Sequence, residues 1–510
     1  MSLGSVLSIA RTAMNVQQVA IETAGHNIAN AQTEGYSRQR VELAPNFPQQ
    51  WPVGSVGTGV VVADVTRARD QLLDVTVRQE NGGEAAASTR KELLGAVEGV
   101  LGEPSETGLA SAMDAFWSSW SDLAAAPTSR AAKSVVLQRG GAAADLLNAF
   151  DGRLDGLRQQ TTLRLDNTLT ATNNLAARVA ALNGQIVSTE VGGARRANDL
   201  RDQRDKAVDE LAKYGDVQAL DRPDGSVQLL FGTHTLVDGI HAKSLARTTD
   251  ALGRVALAMS DAPGRALQPT GGSTQAMADF LNSDLRAAQD QLDAVANALA
   301  RTVNAVHGEG RDATGAAPPA FFVDRTSDTF DASASAFRVP LAGGAVTART
   351  IGVSSALRGD ATRVATTSDA ARPTDNDVAL ALAGLRTTAT TTVGGAPTST
   401  VFRLPNRSVP PVTAAGATEP PPLAATAPTS LADFYQAAVS GLAVRVQDAD
   451  ASAEVRTTLA EQARSRRDSV SGVNVDEELT SLMRAQQAYA AAAKVVSAAD
   501  EMMKTLVGMI

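Results

Sequence analysis

Apolar and small side chains near both ends of the chain recur at alternating spacings of four and three residues. This heptad pattern is typical of a helix that packs along a second helix. It predicts that the two terminal helices pair as an α-helical coiled coil. On spacing alone, two ordinary amphipathic helices on a globular core fit equally well. The repeats consist of Leu3, Leu7, Ala10, Met14, Gln17, Ile21, Ala24 and Ile28, and of Leu479, Leu482, Gln486, Tyr489, Ala493, Val496, Asp500, Met503, Val507 and Ile510.

Between the terminal repeats, the pattern predicts mostly helices with a few β segments. Strand-like runs flank the turn sequence "PDG" within 216–239, and "GSVGTG" reads as a turn that leads into the strand "VVVADV". Shorter strand-like pieces are "AFRVPL" and "TARTIGVSSAL", and 387–430 has the Thr- and Pro-rich composition of a linker. Helices are predicted over 87–101, 107–126, 129–189, 197–215 with Gly215 as its C-cap, 274–307 and 431–469.

The segment "NIANAQTEGYSRQR" (27–40) ends the first predicted helix with a polar, turn-prone run. Asn27 and Asn30 carry polar side chains that bond to backbone and so favour the exit from a helix. Gly35 is suited to a left-handed turn. We therefore predict that Tyr36 and Arg38 project from a non-helical segment and contact neighbouring molecules.

Composition narrows the possible classes of protein. The chain has 510 residues, a formal net charge of −9, only 4% aromatic residues and no cysteine. The acidic balance argues against a general nucleic-acid binder, and the lack of cysteine excludes disulfides and thiolate metal sites. No apolar run approaches the length of a membrane span, and the first residues lack the features of a secretory signal. If the protein leaves the cell, we expect it to do so without a cleaved signal peptide.

The residues offer no convincing catalytic or metal-binding constellation. His26, His234, His241 and His307 lie in no metal-binding pattern, and no carboxylate or cysteine completes a ligand set. The sequence "DLRDQRDKAVDE" alternates acids with bases, which is typical of a solvated, salt-bridged helix face. "FWSSW" (116–120) is more typical of a packing anchor between helices than of a ligand box. We expect no enzymatic activity, no metal and no cofactor.

Four blocks, in order along the chain, carry a family resemblance. "GHNIANAQTEGYSRQRV" resembles the N-terminal signature of flagellar axial proteins, and its "GYSRQ" resembles the hook-associated protein 1 family, which forms the hook–filament junction. "FWSSWSDLAAAPTSRAAKSVVLQ" (116–138) and "NDLRDQRDKAVDELAKYGDV" (198–217) resemble the helical domain of that family. "VSGVNVDEELTSLMRAQQAYAAAAKVVSAADEMMKTLV" (470–507) resembles its C-terminal helix.

The resemblance implies a mainly α-helical structural protein with a β-rich insert. An inner, channel-lining coiled-coil domain would comprise 1–45 and 471–510. A helical domain with a small β hairpin near 216–239 would comprise 46–330 and 431–470, and an outer β-rich domain with the linker would comprise 331–430. Subunits would self-assemble in a ring or helical turn through their terminal helices. The implied interface residues are Leu3, Leu7, Met14, Ile21, Asn27, Ile28, Asn30, Gly35, Tyr36, Arg38, Leu479, Leu482, Tyr489, Val496, Met503 and Val507.

The resemblance also implies partners and a location. The partners would be further copies of the chain, the hook protein, the second hook–filament junction protein, and an export chaperone bound to the C-terminal helix before secretion. Neither nucleic acid nor membrane would be bound, and the location would be the extracellular flagellum, reached by type III export. Three alternatives remain: another flagellar axial protein (second junction, hook or rod protein), a flagellum-associated enzyme, and a generic coiled-coil scaffold.

Overall fold

A computed structural model of the chain describes residues 3–51, 54–103, 105–191, 196–330, 346–387, 402–404, 407–409 and 430–508. Long helices dominate it. The helices are α1 (Leu3–Ala29), α2 (Gln71–Leu101), α3 (Leu109–Ala125), α4 (Arg130–Glu190), α5 (Asn198–Ala212), α6 (Gly272–Asp279), which continues through a π-helical turn into α7 (Leu285–Gly308), and then α8 (Ser355–Gly359), α9 (Asp377–Gly384), α10 (Leu431–Ser471) and α11 (Val475–Val507).

The strands form small antiparallel sheets. Strand β1 pairs with β4, β2 with β3, β12 with β13 and β14 with β15, while β5–β6–β7–β8 and β9–β10–β11 form larger sheets. The strands are β1 (Gln39–Pro45), β2 (Gln49–Trp51), β3 (Gly54–Val56), β4 (Val60–Arg67), β5 (Val217–Asp221), β6 (Val227–Phe231), β7 (His234–Asp238), β8 (His241–Ala242), β9 (Leu245–Thr249), β10 (Val255–Met259), β11 (Ala262–Leu267), β12 (Phe322–Asp324), β13 (Ile351–Val353), β14 (Phe402–Leu404) and β15 (Arg407–Val409).

The chain divides into two compact units. Unit 1 comprises Met1–Ala87, Asp166–Ala276 and Ala453–Ile510, and unit 2 comprises Ser88–Leu165 and Met277–Ser452. Both terminal helices belong to unit 1. About half of 331–430, including "AFRVPL", lies outside the described residues, so the three-part division by sequence stays a prediction.

Several sequence predictions are confirmed by these elements. The terminal helices, the long helix over 129–189 and the strand after "GSVGTG" correspond to α1, α11, α4 and β4. The hairpin near 216–239 is also present, as β5, β6 and β7, but the sheet continues into β8, and a second sheet that was not predicted comes after it in the chain. In "TARTIGVSSAL", only the three residues of β13 form a strand, and α8 begins directly afterwards.

Gly215 was predicted to cap α5, and this prediction is wrong. Helix α5 ends at Ala212, with Lys213 as its C-cap. A Cβ atom on Gly215 would lie 2.1 Å from Cζ of Phe231, so the glycine permits the close approach of that ring. The small residue is therefore required by packing between the chain after α5 and strand β6.

The core of unit 2 contains a cluster of aromatic rings. The centroid of the Phe321 ring lies 5.6 Å from the centroids of both Phe116 and Trp120, and all three side chains are fully buried. Asn304 on α7 holds the backbone at this point, because its Oδ1 accepts hydrogen bonds from the N–H groups of Phe321 and Phe322 at 2.7 and 2.9 Å. The prediction that "FWSSW" is a packing anchor is confirmed.

Gly140 and Gly141 on α4 provide a test of how tightly this cluster is packed. A Cβ atom on Gly140 would lie 2.8 Å from Cε1 of Phe321, whereas one on Gly141 would meet nothing within 4 Å. Alanine at either position favours a helix by about 0.5–1 kcal/mol over glycine. We expect Gly141→Ala to raise the thermal midpoint slightly and Gly140→Ala to lower it, because overpacking costs about 1–3 kcal/mol. Equal midpoints for the two variants in calorimetry would contradict this packing.

Candidate assembly site at the terminal helices

Helices α1 and α11 pack along each other within unit 1. The amide Nδ2 of Asn27, near the end of α1, donates a 3.0 Å hydrogen bond to Oε2 of Glu478, at the beginning of α11. The two helices therefore run antiparallel. This pair, called the terminal pair below, is the coiled coil that the end repeats predict.

The buried line on α11 differs from the predicted repeat. Ala485, Ala492 and Ala499 are buried at intervals of seven residues, and Glu478 extends the line by one more interval. Alanine leaves little side-chain volume between two helices, so the backbones can approach closely. The seam of α11 is thus a row of alanines that ends in one buried carboxylate.

Half of the predicted α11 repeat lies on the seam and half lies beside it. Leu482, Tyr489 and Val496 are partly buried, as predicted. Leu479 and Met503 are 42% and 41% exposed, and Gln486 and Asp500 are also exposed, so the prediction that these four lie in the helix pair is wrong. The predicted repeat was shifted by one residue along α11 from the buried seam, which consists mainly of alanines. The side chain of Val507 lies outside the described residues.

On α1, the fully buried apolar side chains are two alanines and one valine. Ala10 and Ala24 are 4% exposed, and Val16, which the repeat did not include, is 2% exposed. The other predicted seam residues are partly buried: Leu7, Met14, Gln17, Ile21 and Ile28. The side chain of Leu3 lies outside the described residues. Both faces of α1 are used, because the β1–β4 hairpin also packs against this helix.

After α1 the chain turns back through a short polar segment. Nδ2 of Asn30 donates to the backbone oxygen of His26 at 3.0 Å, and the same oxygen accepts the backbone N–H of Asn30 at 3.1 Å. Gly35 has a φ of +85°, as its predicted left-handed turn requires. The turn brings Tyr36 and Arg38 back beside the end of α1, so these side chains pack within the chain rather than project from it.

Four side chains join this turn to both terminal helices, and we call them the terminal clamp: Asn27, Tyr36, Arg38 and Glu478. Asn27 is 1% exposed, and its Oδ1 accepts bonds from the Tyr36 hydroxyl at 2.7 Å and from the N–H of Gln39 at 2.9 Å. Its Nδ2 also donates to the backbone oxygen of Gln39 at 2.9 Å, in addition to its bond with Glu478. The amide of Asn27 thus links α1, the start of β1 and α11.

The charged half of the clamp is an arginine–glutamate pair. Nε of Arg38 donates to Oε1 of Glu478 at 2.6 Å, and its Nη1 donates to Glu477 at 2.9 Å. The N–H of Arg38 also donates to the backbone oxygen of Ser471 at 2.9 Å. Glu478 is only 3% exposed, and its carboxylate oxygens bond to Asn27 and Arg38, so the buried charge is neutralised and hydrogen-bonded.

The environment keeps the Tyr36 hydroxyl protonated. Burial raises the pKa of Tyr36, and the nearby carboxylates of Asp199 and Asp202 raise it further. The hydroxyl therefore remains a hydrogen-bond donor to Asn27 throughout the neutral pH range. From the sequence, Glu477 and Glu478 are recognisable only as acidic residues in the first turn of a helix, where they match the helix dipole. The sequence does not reveal that Glu478 is buried and bonds to Asn27 and Arg38.

A second set of ion pairs fixes the base of the β1–β4 hairpin in unit 1. Asp205 on α5 pairs with Arg67, Arg69 and Arg78, three residues that we call the arginine cluster. Arg67 also pairs with Asp202 at 2.7 Å, and Asp202 accepts the N–H of Ser37 at 3.0 Å. The prediction of a solvated face on α5 is wrong for Asp202 and Asp205, because both carboxylates lie inside this network.

Burial and charge act in opposite directions on Asp205. Burial alone would raise the pKa of this carboxyl group, but the guanidinium groups of Arg69 and Arg67 outweigh the effect of burial and hold the pKa below its usual value. The carboxylate is therefore ionised at neutral pH. It joins β4, α2 and α5 at one point.

The described residues contain no cluster of histidine, cysteine or acidic side chains that would hold a metal ion. His26 contacts the Tyr36 hydroxyl at 3.0 Å, and burial among aromatic rings lowers the pKa of His307 to about 3. Among the helices of the described part, none has the length and apolar character required to cross a bilayer.

Comparisons with known protein families match three parts of the chain to flagellar proteins. The profile described as "Flagellar hook-associated protein FlgK helical domain" matches residues 94–322. Two profiles of flagellar rod proteins match the ends: "Flagella basal body rod protein" matches 7–36, and "Flagellar basal body rod FlgEFG protein C-terminal" matches 465–509.

Individual relatives agree with the profiles. Flagellar hook-associated protein 1 of Bacillus subtilis is 27% identical over 99% of this chain and 98% of its own length. The protein of that name from Salmonella typhimurium is 30% identical over 63% of this chain and 59% of its own length. The solved structure of the flagellar hook junction protein FlgK from Burkholderia pseudomallei has a TM-score of 0.60, with 16% sequence identity, over 78% of this chain and all of that chain.

The terminal pair, the clamp and these matches together define a structural protein of the flagellar axial class. The predicted fold class, mainly α with paired terminal helices and smaller β parts, is confirmed. Within the axial class, the chain is similar to flagellar hook-associated protein 1, the name shared by the matching relatives and by the protein of the helical-domain profile.

Proposed function

We propose that this chain is a structural subunit of the junction between hook and filament and that it assembles through its terminal pair. The observation that carries the proposal is the surface of α11. Apolar side chains remain exposed along this helix even though α1 already covers its alanine seam. They are Val475, Leu479, Met483, Val495, Met502 and Met503, each between 41% and 55% exposed.

An exposed apolar surface on a paired helix favours burial against further subunits. A head-to-tail interface of this kind repeats along a ring or helix, so each terminal pair would be surrounded by copies of itself and by neighbouring axial proteins. Leu479 and Met503, which are not covered by α1, are suited to this contact. In this proposal the terminal clamp acts indirectly, because it holds α11 in the orientation in which that surface is presented.

The similarity to hook-associated proteins also supports a proposal for the specific partners. The hook protein would lie on one side of the subunit and the second junction protein on the other. Before assembly, an export chaperone would cover the exposed apolar surface of α11, and the flagellar type III apparatus would deliver the chain outside the cell. An enzymatic role receives no support from the relatives, because they bear the names of flagellar hook-associated proteins.

Leu479→Asp tests the assembly role. Because Leu479 is 42% exposed, the charge is solvated in the monomer but would be buried in an assembled junction, where an unpaired charge is costly. We expect the thermal midpoint of the purified variant to stay within about 2 °C of wild type. Cells that carry the variant should export it but shed their filaments and fail to swim. Gln487→Asp, which adds the same charge at an exposed polar position, is the matched control. Normal filaments on Leu479→Asp cells would contradict the proposal.

A further inference from the structure

A cleft in unit 1 has an arginine-rich floor and an apolar rim. Its volume is about 1210 Å³, and it is formed by the start of α2, the end of α4, helix α5 and the β5–β6 hairpin. Seven arginines and five carboxylates line it: Arg67, Arg69, Arg78, Arg196, Arg201, Arg204 and Arg222, with Asp74, Glu190, Asp205, Asp221 and Asp224. The assembly role does not use this cleft.

Most of these arginines have a carboxylate partner, but Arg204 is different. Arg201 forms a bidentate ion pair with Glu190, in which Nη2 donates to Oε2 at 2.6 Å and Nε donates to Oε1 at 2.8 Å. The three residues of the arginine cluster pair with Asp205. Arg204 is 1% exposed, and among the described residues no carboxylate lies within ion-pair distance of it. Its charge is buried without an ion pair of its own.

The hydrogen bonds of Arg204 are also incomplete. Both of its bonds run through Nη1, to Oδ1 of Asn183 at 3.2 Å and to the backbone oxygen of Gly225 at 2.8 Å. Its Nε is buried and has no hydrogen-bond partner among the described residues. Burial lowers the pKa of the Arg204 guanidinium, the Asp205 carboxylate opposes this shift, and the nearby Arg201 guanidinium adds to it. An added anion would offset both the burial and the repulsion.

The rim of the cleft determines what kind of anion fits. Val75, Val191 and Leu220 line it and are 56%, 79% and 48% exposed, so three aliphatic side chains stand in solvent around a lining in which arginines outnumber carboxylates by seven to five. A small inorganic anion would leave this apolar surface uncovered. An anion that carries an aliphatic body would cover it.

We propose that this cleft is a binding site for an aliphatic carboxylate, with the carboxylate directed at Arg204 and the aliphatic part against Val75 and Leu220. A guanidinium group is the natural partner of a carboxylate because it offers parallel N–H donors in the plane of the two oxygens. The carboxylate is supplied either by a free aliphatic acid or by an acidic side chain flanked by apolar residues on a second copy of this chain.

Calorimetric titration of the full chain with sodium hexanoate tests the site. We expect saturable binding that is at least ten-fold tighter than that of acetate, because hexanoate has four more methylene groups to cover the rim. 1-Hexanol, which lacks the carboxylate, should show no saturable binding. Arg204→Met should weaken hexanoate binding at least ten-fold. If hexanoate does not saturate, or if hexanol binds equally well, the proposal is wrong.

Surface variants make the test independent of any folding defect in Arg204→Met. Val75→Asp adds a repelling charge at the rim and Val75→Lys adds an attracting one, so we expect their dissociation constants for hexanoate to differ at least five-fold, with the lysine variant binding more tightly. Leu72→Asp and Leu72→Lys are matched controls, since Leu72 lies on the same helix, is 78% exposed and does not line the cleft. Identical dissociation constants for the two Val75 variants would overturn the proposal.

Sedimentation distinguishes the two sources of the carboxylate. If a second copy supplies it, the full chain self-associates at high protein concentration and hexanoate dissociates the complex. If the chain stays monomeric at every concentration while hexanoate binds, the ligand is a free aliphatic acid. Leu479→Asp should leave hexanoate binding unchanged in either case, so failure of the junction role and failure of this site give different results.

Discussion

In a Glu478→Ala variant, the amide protons of α1 and α11 are expected to exchange with solvent about 100-fold faster than in the wild-type chain. The substitution removes the acceptor of two donors, the partly buried Nε of Arg38 and the buried Nδ2 of Asn27. Breaking a buried charge pair by removing one partner costs about 3 kcal/mol, which corresponds to about two orders of magnitude in the equilibrium for local opening. Hydrogen exchange measured by mass spectrometry on the purified chain gives the comparison.

Glu477→Ala is the matched control for that experiment. Glu477 precedes Glu478, also pairs with Arg38, and carries the same charge, but its side chain is 58% exposed. Exposed pairs contribute less than about 1 kcal/mol, so we expect less than a five-fold change in exchange. If the two variants accelerate exchange equally, net charge at the start of α11 matters and the buried clamp does not.

Asp205→Ala is expected to lower the thermal midpoint of unit 1 by about 6–12 °C. Without this carboxylate, the guanidinium groups of Arg67, Arg69 and Arg78 remain close together with too few counter-charges. The loss is about 3 kcal/mol, and a unit of this size shifts by about 2–4 °C for each kcal/mol. Asp199→Ala on the same helix, where the side chain is 63% exposed, should shift the midpoint by less than about 2 °C. Similar shifts for both variants would show that the network contributes nothing.

The same network predicts a dependence on pH. Because the folded-state pKa of Asp205 is depressed, its contribution to stability is fully present above the unfolded-state pKa of about 4 and is lost as the pH falls through the lower folded-state value. The difference in the free energy of unfolding between wild type and Asp205→Ala should therefore be constant from about pH 5 upwards and shrink below about pH 4. Denaturant titrations at several pH values would measure it.

The long helices were predictable because their apolar period persists over many turns. The pattern over 129–189 corresponds almost residue for residue to α4, and the terminal repeats correspond to α1 and α11. The first half of α2 was missed because Gly82 and Gly83 interrupt its sequence. A Cβ atom on Gly82 would lie 2.9 Å from the backbone oxygen of Ala212, so this glycine permits close packing against the end of α5 and does not end a helix.

The candidate site was predictable only in part. Asn27, Tyr36 and Arg38 were expected to face neighbouring molecules, whereas in the folded chain they bond to one another and to α11. A search for apolar periodicity cannot find a buried glutamate. It also favours large residues over small ones, and for this reason it selected Leu479 and missed the alanine line one position away. The pair of Arg38 and Glu478 could not be predicted because the two residues are far apart in the sequence and meet only in the folded chain.

The alanine seam of the terminal pair has a consequence for axial sliding. Ala485, Ala492 and Ala499 are identical and equally spaced, and alanine offers no large side chain that interlocks with the opposite helix. If α11 slipped along α1 by seven residues, or about 10 Å, most of the seam would meet an equivalent surface. The seam by itself therefore specifies the position of α11 only weakly. The bonds of Glu478 to Asn27 and Arg38 occur at one offset alone, so the clamp acts as the stop that fixes the length over which the two helices overlap.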